Sequence, residues 1–423
     1  MTKTYDTYKD SGIAWIGEIP SEWTLVDAKR ILKNEKKLAG VEADNYERLA
    51  LTLNGVIKRS KDDSEGLQPE KFESYQILGK NELVFKLIDL QNISTSRVGI
   101  SPYEGLVSPA YIVVKNRKSE DNKYYYWYMN MYFTHVFNNL GGDGVRSAIN
   151  AQDLLSLKIP YISVEEQKSI ASFLDKKCGE IDSLISLQEE MISELQSYKI
   201  SYITKIVTSG IKEYSKLKDS GVDWIGQIPE TWTVTKFKNL FRIKKDIAGK
   251  LGLDVLSVTQ KGLKIKDLSK NEGQLAQDYS KYQLVSVEDF VMNHMDLLTG
   301  FVDLSAFEGV TSPDYRTFRT INNNITDNHY YLKIFQICYW TRLFYNLGQG
   351  VSTLGRWRLP AEQQNNFMLP VPPLEEQKEI AVHLDKKMAQ IDSLIDIKEK
   401  KICELKDYKK SIIFEYVTGK KRV

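Results

Sequence analysis

Two stretches decide the fold of this chain: YDTYKDSGIAWIGEIPSEW at residues 5–23 and its echo YSKLKDSGVDWIGQIPETW at residues 214–232. A second pair repeats at nearly the same distance, with VEEQKSIASFLDKKCGEIDSLI at 164–185 and LEEQKEIAVHLDKKMAQIDSLI at 374–395. A period of about half the chain is far longer than the 20–50 residues of solenoid repeats. The sequence therefore predicts a duplicated domain with a pseudo-twofold internal repeat, a symmetry that suits binding to duplex DNA.

The composition indicates a globular protein without a membrane segment. Of the 423 residues, 42% are apolar and 27% are charged, and the formal net charge is only +2. The N-terminus lacks the apolar core of a signal peptide, and no stretch is long and apolar enough to span a bilayer. We therefore expect a cytoplasmic protein with no membrane partner, whose nucleic-acid binding would depend on local patches of charge.

Cysteine and histidine usage predicts neither a disulfide framework nor a metal site. Cys178, Cys338 and Cys403 are odd in number and scattered, and the four histidines form no HExxH pair. We therefore expect no bound metal and no cofactor.

A long helix is predicted at the end of each half. Apolar residues recur at spacings of three, four and seven over about 40 residues, which gives a helix of roughly 60 Å. Glycines at 210 and 419 suit the helix ends. The helices should form an antiparallel coiled coil; the alternative is that each packs only on its own domain. The predicted seam comprises Leu174, Ile181, Leu184, Met191, Leu195, Leu384, Ile391, Leu394, Ile402 and Leu405.

The remaining segments are typical of mixed α and β structure. Short apolar runs at 82–88 and 289–295 predict strands, and glycine-rich loops occur at 140–147 and 347–355. The predicted fold class is α+β: two similar mixed α/β domains joined by two long antiparallel coiled-coil helices. The two halves share weak internal matches with shifting offsets, so their loops should differ while their frames agree.

Catalytic motifs are missing from the sequence. It contains no P-loop pattern and no Asp/Asn-Pro-Pro-aromatic run, which an adenine methyltransferase would be expected to carry. We therefore predict a binding protein without catalytic residues. Two other interpretations stay open: a solitary nuclease or methyltransferase with unusual motifs, and a coiled-coil scaffold that does not bind DNA.

Local basic clusters provide the positive signal for nucleic acid. Residues 236–270 hold ten lysines and arginines against three aspartates, and residues 29–63 hold nine basic against six acidic residues. Such clusters neutralise phosphates, although a solvated charged face is the alternative, and loop arginines suit bidentate contacts to guanine. The candidate DNA-binding residues are Lys58, Arg59, Lys61, Arg97, Arg146, Lys261, Lys264, Lys266, Arg316, Arg319, Arg356 and Arg358.

The two repeated elements resemble those of the specificity subunits of type I restriction–modification systems. DSGIAWIGEIPSEW with its second copy, and PPLEEQKEIAVHLDKKMAQIDSLI with its first-copy partner, carry the resemblance, which covers the whole chain. One departure is GGDGVRSAINAQDL at 141–154, which lacks the GRWRLP present at 355–360. We therefore transfer no base-contact residue from the family.

The resemblance implies a non-catalytic subunit with two target-recognition domains, each recognising one half of a split site in double-stranded DNA. It also implies partners: two DNA adenine methyltransferase subunits on the helices, and ATP-dependent restriction subunits. The expected boundaries are 1–160 and 211–372 for the recognition domains, and 161–210 and 373–423 for the spacer helices.

Overall fold

A computed structural model describes residues 4–53, 55–62, 72–88, 96–118, 121–136, 149–212, 216–267, 279–350 and 357–423. The chain divides into two compact units. The first unit combines Met1–Glu189 with Glu399–Val423, and the second is Glu190–Lys398. Each unit therefore contains one globular domain and a segment of each of the two long helices.

The first domain is built from short strands and short helices. A 3-10 turn at Ala28–Arg30, a second at Gly40–Asn45 and a π-helical turn at Tyr132–Val136 complete it. Its helices are α1 (Lys123–Met131) and α2 (Ala151–Leu155). Its strands are β1 (Tyr8–Asp10), β2 (Glu18–Pro20), β3 (Thr24–Asp27), β4 (Leu32–Asn34), β5 (Arg48–Thr52), β6 (Gly55–Arg59), β7 (Gln76–Leu78), β8 (Leu83–Phe85), β9 (Val98–Ile100), β10 (Gly105–Val107), β11 (Ile112–Asn116) and β12 (Lys158–Tyr161).

The second domain follows the long helix α3 (Val164–Ser209) and precedes the long helix α8 (Leu374–Val417). Its helices are α4 (Phe237–Leu240), α5 (Asn328–Trp340), α6 (Leu343–Asn346) and α7 (Ala361–Asn366). Its strands are β13 (Leu217–Asp219), β14 (Gln227–Pro229), β15 (Thr233–Lys236), β16 (Phe241–Ile243), β17 (Val255–Thr259), β18 (Gly262–Ile265), β19 (Gln283–Val285), β20 (Phe290–Met292), β21 (Val302–Leu304), β22 (Gly309–Thr311), β23 (Arg316–Thr320) and β24 (Met368–Val371).

The two domains have the same sheet topology. Each has two four-stranded sheets, ordered β6-β5-β10-β7 and β4-β11-β8-β9 in the first domain, and β18-β17-β22-β19 and β16-β23-β20-β21 in the second. The one parallel pairing in each domain also corresponds, β5 with β10 and β17 with β22. The strands predicted within 82–88 and 289–295 are confirmed as β8 and β20. The duplication therefore fixes a shared framework.

Segments of the two long helices run antiparallel within each unit. In the first unit Lys409 Nζ lies 2.7 Å from Asp182, and the rings of Phe173 and Tyr416 are 4.3 Å apart. In the second unit Lys199 Nζ lies 2.6 Å from Asp392. The predicted antiparallel pairing is thus confirmed within each unit.

The seam between these segments differs from the predicted one at three positions. Leu174, Ile181, Leu384 and Ile391 are buried, as are Ile402 and Leu405, and Leu195 is half-buried. Leu184, Met191 and Leu394, however, are exposed, with Leu184 at 47% and Leu394 at 48%. Each helix has two adjacent apolar stripes, which the sequence spacing merged into one. Ile185, Ile192 and Ile395 occupy the more buried positions instead.

The repeated tryptophan element joins each domain to the start of the helix that follows it. Trp23 and Trp232 are fully buried, and their indole N–H groups donate to Glu166 (3.3 Å) and Glu376 (3.1 Å). Tyrosines then join each domain to the end of the other helix: Tyr124 Oη donates to the Val417 carbonyl, and Tyr330 Oη to the Val207 carbonyl. The repeated motifs therefore pack against each other in both domains.

Both long helices end at glycine. Gly210 and Gly419 have φ of +77° and +72°, the left-handed conformation that ends a helix without steric cost. At Gly419 a Cβ atom would lie 2.4 Å from Pro20 Cδ, so the stop also requires the absence of a side chain.

Candidate nucleic-acid interface

The two candidate lysine clusters occupy the same hairpin in the two domains. Lys58 and Arg59 lie on β6, which pairs with β5, and Lys61 follows it. Lys264 lies on β18, which pairs with β17, with Lys261 in the turn and Lys266 after the strand. Both β6 and β18 are edge strands of equivalent sheets. Residues chosen separately from the sequence therefore converge on one structural element.

The charge of this hairpin is balanced differently in the two domains. Lys58 Nζ lies 2.6 Å from Glu47, which raises the pKa of the lysine, and it stands 5.2 Å over the Tyr103 ring. Lys61 donates to the Ala43 carbonyl at 2.8 Å. Among the described residues, no carboxylate forms an ion pair with Lys261, Lys264 or Lys266. The second hairpin therefore carries more positive charge that no carboxylate neutralises among the described residues.

The candidate arginines divide into buried and exposed groups. Arg97 is 3% exposed and has a partner within the protein. Arg316 is 9% exposed, and its guanidinium donates to Gln364 Oε1 at 2.6 Å and to the Leu359 carbonyl at 3.1 Å. Arg358 is exposed, and its backbone pairs with Gln349. Arg146 and Arg356 lie outside the described residues.

Arg319 is held by a buried carboxylate. Its Nε donates to Asp289 at 3.1 Å, while its side chain stays 42% exposed. Asp289 also accepts from Lys244, and both of these side chains are buried. Lys244 belongs to the 236–270 cluster that the sequence assigned to a basic surface, so this lysine is structural. The pair fixes Arg319 and leaves its guanidinium accessible to solvent.

A buried polar cluster in the second domain escaped the sequence analysis. His294 Nδ1 and Gln364 Nε2 are buried without a hydrogen-bond partner, next to Arg316. Burial, and then the charges of Arg316 and Arg358, lower the pKa of His294 to about 4, so the imidazole is neutral at pH 7. His294, Arg316 and Gln364 are far apart in the sequence and share no motif or spacing, so the sequence did not indicate this cluster.

Arg48 was likewise not among the candidates. It is the first residue of β5, at one end of the β5–β6 hairpin, and its side chain is buried. The sequence offered no signal, because Arg48 precedes an apolar run and resembles an ordinary surface residue.

The described part of the chain shows no metal centre and no membrane helix. It contains no group of three or more histidine, cysteine or carboxylate side chains that could hold a metal ion. None of its helices is long and apolar enough to cross a membrane.

The long helices present a second apolar stripe to solvent. On α3 it comprises Leu184, Leu187, Met191 and Tyr198; on α8 the corresponding residues are Leu394, Ile397 and Tyr408. Exposed apolar side chains at helical spacing on both copies are typical of a protein-binding surface.

Comparisons with known proteins agree with this architecture. A family model described as "Type I restriction modification DNA specificity domain" matches twice, at residues 26–204 and 229–407. The chain is 26% identical to the type I restriction enzyme MjaX specificity subunit of Methanocaldococcus jannaschii, over 96% of both chains. It is also 26% identical to the MjaVIII specificity subunit of the same organism, over 76% of this chain and 75% of that one.

One solved structure shares the fold. A chain described under "Structural basis underlying complex assembly and conformational transition of the type I R-M system" aligns with a TM-score of 0.65 and 12% identity. The alignment covers 94% of this chain and 98% of that chain. The α+β fold class is thereby confirmed. With two family domains that span most of its length, the chain belongs to the type I restriction–modification specificity family and is a DNA-recognition subunit, not a catalytic one.

Proposed function

We propose that this subunit recognises a bipartite site in double-stranded DNA, with one half bound by each domain. The observation that carries the proposal is the equivalent hairpin, β5–β6 and β17–β18, which bears a cluster of cations in both domains. A shared framework with different side chains suits two readers of different half-sites. Because its target is DNA, we also propose that the subunit acts in the cytoplasm.

The proposed interface uses only the accessible candidates. Lys58, Arg59 and Lys61 serve the first domain, and Lys261, Lys264 and Lys266 serve the second. Arg319 and Arg358 join them because their side chains reach solvent. Arg97 and Arg316 are left out, since Arg97 already has a partner within the protein and the Arg316 guanidinium donates to Gln364 and to the Leu359 carbonyl.

The experiment measures DNA affinity of the full chain as a function of salt. Changing Lys261, Lys264 and Lys266 to Ala should reduce the slope of log affinity against log salt by about three, because each lost phosphate contact removes about one unit. The control removes the same charge from α3 by changing Lys168, Lys176 and Lys205, and should leave the slope unchanged. Equal slopes for both variants would exclude this hairpin from the interface.

We further propose that the exposed stripes of α3 and α8 bind two DNA adenine methyltransferase subunits, one on each copy, and that ATP-dependent restriction subunits join this assembly. Two equivalent stripes on one chain give two equivalent docking positions, which supports this stoichiometry. A solitary nuclease or methyltransferase is the competing function, and activity of the isolated chain with magnesium or a methyl donor would reveal it.

Charge substitutions test the docking. Leu187→Glu should remove one methyltransferase subunit from the purified complex, and Leu187→Glu with Ile397→Glu should remove both. Both side chains are exposed, so the fold should tolerate the change. Ser193→Glu, at an exposed position outside the stripe, is the matched control. A full complement of subunits with the double variant would contradict the assignment.

A further inference from the structure

Arg48 is a charged side chain buried without a full set of partners. Only 8% of its surface is exposed, and its Nη1 atom is enclosed by protein but has no hydrogen-bond partner. Nearly all buried polar groups in proteins are hydrogen-bonded, so a charged exception requires an explanation such as an absent ligand. A guanidinium selects an anion, because it has five N–H donors and no acceptor.

A cleft of about 460 Å³ opens beside this guanidinium. Its walls are residues 44–48 and 58–61, which contribute four cations and two carboxylates. One carboxylate, Glu47, pairs with Lys58 at 2.6 Å, and the other, Asp44, lies 3.8 Å from Lys61 Nζ. Both acids are therefore directed to lysines, and neither forms an ion pair with Arg48.

The strand register places two arginines side by side. Arg48 on β5 is directly opposite Arg59 on β6, and like charges in directly opposed positions destabilise an antiparallel pair. An anion bound between the strands would relieve this repulsion.

The second domain shows that the framework does not need an arginine here. Val255 occupies the position equivalent to Arg48, as the first residue of β17 and the parallel partner of β22. Val255 is buried as well. At this position the buried charge therefore occurs in the first domain and not in the second, as expected of a residue kept for a ligand.

We propose that Arg48 forms the floor of a phosphate-binding cleft, which takes one backbone phosphate of the DNA half-site bound by the first domain. A guanidinium suits this ligand because it donates two parallel N–H bonds to phosphate oxygens. Lys58, Arg59 and Lys61 at the rim supply further positive charge. This inference rests on the proposed function, and it adds a site that the exposed basic residues do not define.

The test compares the full chain with its Arg48→Val variant, which installs the residue of the second domain. The variant should fold with an unchanged or higher Tm, because an unpaired buried charge is removed. Its DNA affinity should fall, and its slope of log affinity against log salt should drop by about one. Arg117→Val removes an exposed arginine of the same domain outside the cleft and should leave the slope unchanged.

Inorganic phosphate distinguishes the two sources of this anion. Suppose phosphate raises the Tm of the wild-type chain but not of Arg48→Val, while both have the same salt slope with DNA. The cleft would then bind a free anion, and the DNA assignment would be overturned. An equal slope without any phosphate effect would overturn the site altogether. Absence of DNA binding by the wild-type chain would instead defeat the proposed function itself, and the inference with it.

Discussion

The first and second domains share one topology but differ inside it. Where the second domain has His294, Arg316 and Gln364, the equivalent positions of the first domain hold Leu87, Ile112 and Leu154. The backbone confirms the match, since the Leu87 carbonyl accepts from Ile149 just as the His294 carbonyl accepts from Leu359.

The opposite holds at the hairpin. The first domain buries Arg48 where the second has Val255. At these equivalent positions, one domain has a polar residue where the other has an apolar one, although the backbone topology is the same. The repeated elements therefore specify the fold, while interior residues between them differ in the two domains. Four predictions follow from this difference.

The largest effect is expected at Asp289. Changing Asp289 to Ala leaves the buried Lys244 with Asp246, a largely exposed carboxylate 3.8 Å away, as its counter-ion, which should lower the free energy of unfolding of the second unit by about 3–5 kcal/mol. The equivalent residue of the first domain, Glu82, accepts the Gly79 N–H and forms no ion pair with a described residue, so Glu82→Ala should cost about 1 kcal/mol. Denaturant unfolding of the full chain measures both. Equal losses would show that the buried pair is no special feature of the second domain.

A smaller effect is expected from Arg316. Arg316→Ile leaves the Gln364 amide and the Leu359 carbonyl unpaired, and should destabilise the second unit by about 1–3 kcal/mol. Adding His294→Leu and Gln364→Leu converts the cluster to the residues of the first domain. This triple variant should recover part of the loss, because it removes the polar groups of His294 and Gln364 and leaves the Leu359 carbonyl as the group that has lost its donor. If the triple variant is less stable than the single one, the two interiors are not interchangeable.

The two domains should also differ in how much their hairpin cations contribute to the salt dependence of DNA affinity. Changing Lys58, Arg59 and Lys61 to Ala should reduce the salt slope by less than the three units expected for Lys261, Lys264 and Lys266, since Glu47 already neutralises Lys58. Salt titrations of the two variants side by side provide the measurement. A larger reduction from the first-domain variant would reverse the assignment of the stronger cationic surface.

A further effect concerns pH. The pKa of His294 falls from 6.5 in the unfolded chain to about 4 in the folded one, so between these values the unfolded state binds more protons. The stability of the second unit should therefore decrease as pH falls from about 6.5 towards 4. His294→Leu, the residue of the first domain, should flatten this part of the profile. An unchanged profile would show that other groups cause the acid sensitivity.

Much of the frame could be predicted from sequence, because it depends on repeated and periodic residues. Local patterns in the sequence predict the long helices and their glycine stops at 210 and 419. The repeated tryptophan element is likewise visible in the sequence, and tertiary structure did not override these patterns. The seam was less certain, since Leu184 and Ile185 both fit a helical spacing. Which of the two is buried depends on how the helices rotate against each other.

The candidate site was only partly predictable. A count of charges found the hairpin lysines, because exposed lysines of an edge strand cluster in sequence. The same counts also included Lys244, which is buried against Asp289, and Arg48, which is buried in the first domain, and did not distinguish them from the exposed cations. Burial of a charged residue depends on partners that are distant in the chain, so composition cannot distinguish the two cases.

The central claim is that one framework holds two independent readers. The most direct test replaces residues 24–160 with the corresponding segment of another specificity subunit and maps DNA methylation in a host that carries the chimera and its methyltransferase partners. Our account predicts that one half of the recognised sequence changes and the other half stays the same. Changes in both halves would contradict it, and would show that the two domains form one composite surface.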